Sequence, residues 1–371
     1  MADILNKSAF DIPDGVIYLD GNSLGPLPRA VPLRVQQMLT DEWGKLLIGG
    51  WNKASWMDQP MRVGNMVARI IGAAEGSVVM GDTLSIKVFQ AVSSALKLRS
   101  DRRVILSDTG NFPSDLYMVE GLVKLLDQGY ELRTVAPEEV TQAIGDDVAV
   151  VMLTEVDYRT GRKHDMRTVT QQAQAAGAIM VWDLAHSAGA VPVDMTGSNA
   201  EFAVGCTYKY LNGGPGAPGF IYVRPDLADA VQPALAGWLG HRQPFDFELN
   251  YAPGSGIERM RVGTPPVIQL TALETAMELW QDVDMDRLRA ASITLQEQFI
   301  TEIERDVPQL TLASPRDPTM RGSQVSWQFD HGYAAMQAVI DRGVIGDFRA
   351  PDIMRFGFTP LYIDGGDVSA A

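Results

Sequence analysis

The chain has 371 residues, 46% of them apolar and 21% charged, with a formal net charge of −15 and a single cysteine. This is the balance of a soluble globular protein with room for one large and one smaller domain; its acidity disfavours nucleic-acid backbones, and no apolar run approaches the about 18 residues of a membrane span. Cys206 alone cannot form an internal disulfide and points to a reducing, cytoplasmic setting, no Cys/His cluster has zinc spacing, and residues 1–14 lack the basic start and apolar run of a secretory signal.

After the turn-rich stretch 21–28, residues 29–48 predict a helix. Residues 81–85, Gly-Asp-Thr-Leu-Ser, lead into a helical pattern over 86–98. Unpaired N–H groups and hydroxyls at a helix start form an anion cradle, although Asp82 or Thr83 is equally a plain cap. A short apolar run at 104–107 is followed by Asn111-Phe112-Pro113-Ser114-Asp115 and a helical pattern over 114–128. Phe112 is placed to stack on a flat ring or to fill the core, and Ser114 or Asp115 could serve as a cap. Apolar runs at 148–154, 178–183 and 220–223, with a helical pattern at 167–176 between them, continue a series of βαβ units. They predict a mostly parallel sheet buried on both faces, with ligands at the carboxyl ends of its strands. Toward the C-terminus the pattern changes. It is helical over 271–304 with a break at 282–286, then shows strand candidates at 310–313 and 324–329 around the loop 314–322. A helix over 333–342 leads to a last strand candidate at 353–358. This predicts a smaller α+β domain packed with the N-terminal segment, so the expected units are residues 1–45, 46–265 and 266–371, with the boundary near 264–266.

Two residues stand where the ligand crevice is expected. Asp183 ends an apolar run and precedes Leu184-Ala185-His186; its bland alternative is a helix cap. Lys209, in Gly205-Cys206-Thr207-Tyr208-Lys209, follows an apolar strand and precedes Asn212-Gly213-Gly214-Pro215-Gly216. An aldehyde cofactor needs such an amine for a Schiff base, and a carboxylate beside its ring nitrogen to keep that nitrogen protonated. Asp183 and Lys209 suit those two tasks; a structural Lys–Asp pair is the alternative. His164, in the turn-like stretch 160–165, is expected to be solvated, Cys206 to be core in the strand before Lys209, and His331 to be structural. Trp43, Trp51 and Trp56 are candidates for an aromatic wall or for core packing.

Several longer stretches resemble kynureninase, most closely its bacterial members. They run from Tyr18 to Gly25, Asn111 to Asp115, Trp182 to Ala190, Cys206 to Gly216, Arg342 to Arg349 and Met354 to Tyr362, so that the likeness extends from about Val16 to Tyr362. The resemblance implies the fold-type I, aminotransferase class V-like architecture of pyridoxal 5'-phosphate (PLP) enzymes: an α/β fold with a large, mostly parallel-sheet domain and a smaller α+β domain. It implies that Lys209 carries the cofactor, Asp183 binds its pyridine nitrogen, and Phe112 stacks on its ring with Asp115 nearby. Leu84 and Ser85 would contact the phosphate, His186 and Tyr208 would line the site, and Tyr208 would also transfer a proton. Trp238 and Thr264 would reach the phosphate of a neighbouring subunit in a homodimer. Arg355 would bind the substrate α-carboxylate, a task suited to a planar two-pronged donor, with Ser23 at the same end. The implied activity is hydrolysis of L-kynurenine or 3-hydroxykynurenine in tryptophan degradation, with no metal.

The alternatives are another enzyme of this fold, such as a class V aminotransferase or a cysteine desulfurase, and a non-catalytic binding protein that has kept the fold. A desulfurase needs a mobile cysteine, whereas Cys206 sits three residues before Lys209. A binding protein could dispense with Lys209, Asp183 or Arg355, and all three are present. Where the family continues past residue 362 with a helix, residues 363–371 carry two glycines and few apolar residues, and are not expected to form a packed amphipathic helix.

Overall fold

A computed structural model describes residues 4–371. Among them the apolar runs become a seven-stranded sheet of β1 (Val78–Met80), β2 (Val104–Asp108), β3 (Glu131–Val135), β4 (Val148–Thr154), β5 (Ile179–Asp183), β6 (Phe202–Gly205) and β7 (Phe220–Val223), in the order β1-β7-β6-β5-β4-β2-β3. Every pairing from β6 to β3 is parallel, and β7 runs antiparallel to both β6 and β1. Alternation along each strand splits the core in two. Val79, Ile105, Val150, Val181, Val204 and Ile221 face one layer, while Met80, Leu106, Leu153, Trp182, Ala203 and Phe220 face the other.

The helices supply both covers. α1 (Val31–Gln37) continues through a wider π-helical turn at Met38–Trp43 and a short stretch Gly44–Leu46, so the helix expected over 29–48 is broken in geometry rather than absent. It ends at Leu47, whose φ of 51° an α-helix does not accommodate. α2 (Gln59–Ile70) buries Val63 and Val67 against the second layer, while α3 (Leu84–Leu98) buries Val88 and Val92 against the first. α4 (Pro113–Leu126) and α5 (Met166–Ala175) are the crossovers after β2 and β4.

The C-terminal part holds α6 (Val267–Glu278), α7 (Met285–Asp306), α8 (Gly332–Ile340) and a four-stranded antiparallel sheet. Its strands β8 (Thr311–Leu312), β9 (Gln324–Gln328), β10 (Asp347–Arg349) and β11 (Ile353–Gly357) lie in the order β8-β9-β11-β10. The N-terminal segment docks here: Ile17–Tyr18 pairs in parallel with Val344–Ile345, and the Asn6 amide donates to the Leu361 carbonyl at 2.7 Å.

One expectation is overturned at the end of the chain. Residues 365–370 form a short helix, α9 (Gly365–Ala370), that buries Val368. Two glycines weaken it, but its caps and tertiary partners compensate. The Asp364 carboxylate accepts from the amides of Gly366 and Asp367, and the Asp364 amide in turn donates to the Asp367 carboxylate. Lys7 lies 2.8 Å from Asp364 and 2.5 Å from Asp367, and Gln298 on α7 donates to the Gly365 carbonyl. Asp364→Ala is expected to lower global stability by about 1 kcal/mol, read as a shifted denaturant midpoint at unchanged slope.

Candidate active site

The carboxyl ends of the parallel strands meet at one edge of the sheet, and the side chains that leave them converge. Asp183 is the last residue of β5, and Thr154, the last of β4, is its register partner. No helix follows Asp183, so it is not a helix cap; its Oδ1 accepts from the Ala185 amide at 2.9 Å. β6 stops at Gly205, one residue short of Cys206, which corrects the placement of that cysteine within the strand. The loop beyond is held by its own backbone, with the Gly213 amide on the Thr207 carbonyl and the Asn212 amide on the Lys209 carbonyl. Gly25 lies against this loop so closely that a Cβ there would stand 2.3 Å from the Lys209 carbonyl oxygen. That contact brings Ser23 to the lysine's side of the molecule.

A cavity of about 230 Å³ opens between these ends, lined by Leu84, Ser85, Phe112, Asp183, His186, Tyr208 and Lys209 together with Thr83, Ser114, Thr154, Tyr158 and Ala185. Lys209 Nζ stands 2.9 Å from His186 Nε2 and 5.7 Å from the centre of the Tyr208 ring. Burial, reinforced by the Lys209 charge, holds His186 well below the usual imidazole range, so its Nε2 is an acceptor. His186 Nδ1 then carries the proton and has no partner among the described residues. Asp115, 0% exposed, lies behind Asp183, and neither of its oxygens meets a donor among the described residues. Burial first, and then repulsion from Asp183, pushes Asp115 well above the usual carboxylate range. Burial likewise pushes Asp183 up to about 6, against the opposing pull of Lys209. Two carboxyl groups thus share a dry pocket, with the Lys209 charge acting on both.

The chemistry of this pocket fits PLP. A protonated ring nitrogen would give Asp183, backed by the unpartnered Asp115, a charged donor. Leu84 and Ser85 open α3, where the first amides have no intrahelical acceptor and suit a phosphate. Phe112, 43% exposed, presents its ring at the cavity with the Tyr158 ring edge-on to it at 5.1 Å. The donor set matches the cofactor's amine-reactive, acidic and anionic parts.

Arg355 lies on β11 beside this cavity and is tied to its wall through the Tyr158 carbonyl. Its Nε donates to Asp347 Oδ1 at 2.6 Å, its Nη2 to Asp347 Oδ2 and, at 2.9 Å, to Ser23 Oγ. Burial works against ionised Asp347, but the bonds from Arg355 hold it below the usual range. Trp238 and Thr264 do not line the Lys209 cavity of their own chain. Trp238 sits on an exposed aromatic loop with Phe245 and Phe247, and Thr264 borders a small crevice near Lys87 and Arg261.

His164 is not solvated as the turn suggests. It is buried, with Nε2 2.6 Å from Asp108 Oδ2 and 3.1 Å from Arg162 Nη2. This cluster braces the loop that carries Tyr158. His331 is exposed at the start of α8. Trp51 packs edge-on to Trp56, Trp56 is buried and bonded to Glu42, and Trp43 is exposed; none of the three lines the cavity. Sequence reasoning assigned no role to Tyr158, Asp347 or Arg349. Tyr158 could have been flagged by its place just after the carboxyl end of β4.

Residues 288–371 match the family model described as the kynureninase C-terminal domain. A kynureninase of Pseudomonas fluorescens is 50% identical over 363 residues, covering 96% of this chain and 87% of the relative. One of Deinococcus radiodurans is 50% identical over 372 residues, covering 98% and 90%. Among solved structures, the apo cysteine desulfurase of Thermococcus onnurineus superposes with a TM-score of 0.83 at 18% identity, covering 100% of this chain and 95% of that one. A C-DES mutant with glycine covalently linked to its PLP cofactor gives 0.83 at 16% identity, covering 98% and 97%. At such identities these structures speak for the α/β fold alone. No helix among the described residues is long and apolar enough to cross a membrane.

Proposed function

The chain belongs to the kynureninase family, and from that premise we propose that it is a PLP-dependent hydrolase that splits the Cβ–Cγ bond of L-kynurenine, consuming one water and releasing anthranilate and L-alanine. The observation that carries the chemistry is Asp183, backed by buried Asp115, lining one cavity with the Lys209 amine. When bound, PLP supplies an electron-accepting ring joined to the amine of an amino acid. The protein's own groups do the rest. Asp183, backed by Asp115, holds a proton on the ring nitrogen. Lys209 moves the substrate's α-proton, and neutral His186 at 2.9 Å accepts a hydrogen bond from its amine. Tyr208, which burial keeps protonated above its ordinary range, is the donor for the later proton transfer. Leu84 and Ser85 hold the phosphate, Phe112 covers the ring, and Arg355 with Ser23 receives the α-carboxylate.

The finer assignments are part of the same proposal: action on 3-hydroxykynurenine as well, a place in tryptophan degradation and NAD biosynthesis, a cytoplasmic setting and a homodimer with shared sites. Exposed Trp238, Phe245, Phe247 and Leu249 on one loop support the dimer, since a single chain leaves them in solvent. In it Trp238 and Thr264 would reach the partner's phosphate. We read residues 46–265 as the large cofactor-binding unit, with 1–45 packed on 266–371.

A desulfurase is disfavoured because Cys206, the chain's one thiol, is buried, with Sγ directed at the Ala185 carbonyl at 3.8 Å. Incubation of PLP-loaded protein with kynurenine is expected to yield anthranilate and alanine in equal amounts, read by chromatography. Kynurenate would instead indicate an aminotransferase.

A further inference from the structure

The fork expected to receive the substrate carboxylate is largely occupied by the protein itself. Arg355 offers five N–H donors. Asp347 takes the Nε and Nη2 side, Tyr158 takes one N–H of Nη1, and Ser23 takes the second of Nη2. One N–H of Nη1 is left, and the side chain is 2% exposed. A two-pronged grip on a carboxylate needs two parallel donors.

A second guanidinium stands beside it. In the antiparallel pair β10/β11, Asp347 is the register partner of Arg355, and Arg349 lies two residues along β10 from Asp347. Asp347, Arg349 and Arg355 therefore project from one face of the sheet. Arg349 is 38% exposed and bonds two of the three groups that Arg355 bonds, with Nη2 2.9 Å from Asp347 Oδ2 and 3.4 Å from Ser23 Oγ. Its Nη1 donates to the Phe348 carbonyl, and its Nε has no hydrogen bond among the described residues. Two cations thus share Asp347. The other acid of the cluster, Asp20, is pushed up to about 7 by burial and then by Asp347, so near neutral pH it offsets the second cation only in part. The cluster has positive charge and donors to spare on the side nearer solvent.

We propose that Arg349 is a second substrate-binding residue, and that the α-carboxylate sits between Arg349 and the free N–H of Arg355, with Asp347 as the spacer that keeps the two guanidinium groups apart. This rests on the amino-acid substrate proposed above. It gives Arg349 the first contact with an incoming anion, and it leaves Arg355 as a preorganised partner that need not break its own ion pair.

The test compares ligands with and without the carboxylate. In PLP-loaded Arg349→Gln, the KM for kynurenine is expected to rise about tenfold to a hundredfold, with kcat within about threefold of the parent. Affinity for alanine, followed through the cofactor's absorbance, is expected to fall by the same about tenfold or more, while affinity for alaninamide changes by less than about twofold. Arg349→Lys keeps the charge and loses the fork, so it should recover part of the alanine affinity; it carries the same comparison if the glutamine variant does not fold. Equal losses for alanine and alaninamide would reduce Arg349 to a structural prop, and no loss for either would remove it from the site. The two proposals fail separately. A parent protein that makes no anthranilate, yet prefers alanine to alaninamide through Arg349, would leave this inference standing and overturn the kynureninase activity.

Discussion

Lys209→Ala is expected to lower turnover of kynurenine by about four orders of magnitude and to erase the visible absorbance of covalently held cofactor. The loss is large because the proposed function gives one amine two tasks, attachment of the cofactor and movement of the α-proton. No neighbour can take over. His186, 2.9 Å from the amine, is held well below the usual imidazole range chiefly by burial and so is a weak base, and Tyr208 is kept protonated by burial. The variant should fold, because the loop around residue 209 is held by backbone bonds of Thr207, Asn212 and Gly213 rather than by the amine. A Lys209→Ala protein that retained both the absorbance band and full turnover would refute the assignment.

Asp183→Asn is expected to cost about two to three orders of magnitude in kcat and to weaken PLP binding, measured by titration. Asparagine can accept a hydrogen bond at the ring nitrogen but cannot balance a charge there. The same carboxyl group predicts a pH dependence for the cofactor-free protein. Burial raises Asp183 from 3.8 to about 6, so between those values the native state holds more protons than the unfolded chain. Stability from this group is then present in full below about 3.8 and is lost as pH rises through about 6. Asp115, raised in the same sense, steepens the trend. In the proposed site PLP would reverse it by bringing a cation to Asp183. Its stabilising increment in denaturant melts should therefore be larger at about pH 8 than at about pH 5, and Asp183→Asn should flatten that difference. An increment that is independent of pH would separate Asp183 from the ring nitrogen.

Much of the candidate site was legible in the sequence because its proposed chemistry is local. An amine beyond an apolar strand, a carboxylate at the end of another and a hydroxyl-rich helix start can each be recognised from a few residues, and parallel βαβ order brings such strand ends to one edge. The strand runs at 148–154 and 220–223 coincide with β4 and β7 because an unbroken apolar run has few other solutions in a sheet covered on both faces. The family's motifs extended this to Phe112, Tyr208 and Arg355, all of which lie at or beside one cavity.

What only the tertiary structure decided involves partners far apart in the chain. His164 is buried because Asp108, 56 residues away, needs a donor. Arg355 is nearly saturated because Ser23 arrives from 332 positions earlier and Asp347 from across a strand pair. The helix at the C-terminus exists despite its glycines because Lys7 and Gln298 return to meet it. Periodicity along one segment reports which face is dry. It carries no record of which distant charge will satisfy a buried group, because that is set by where the folded chain comes back.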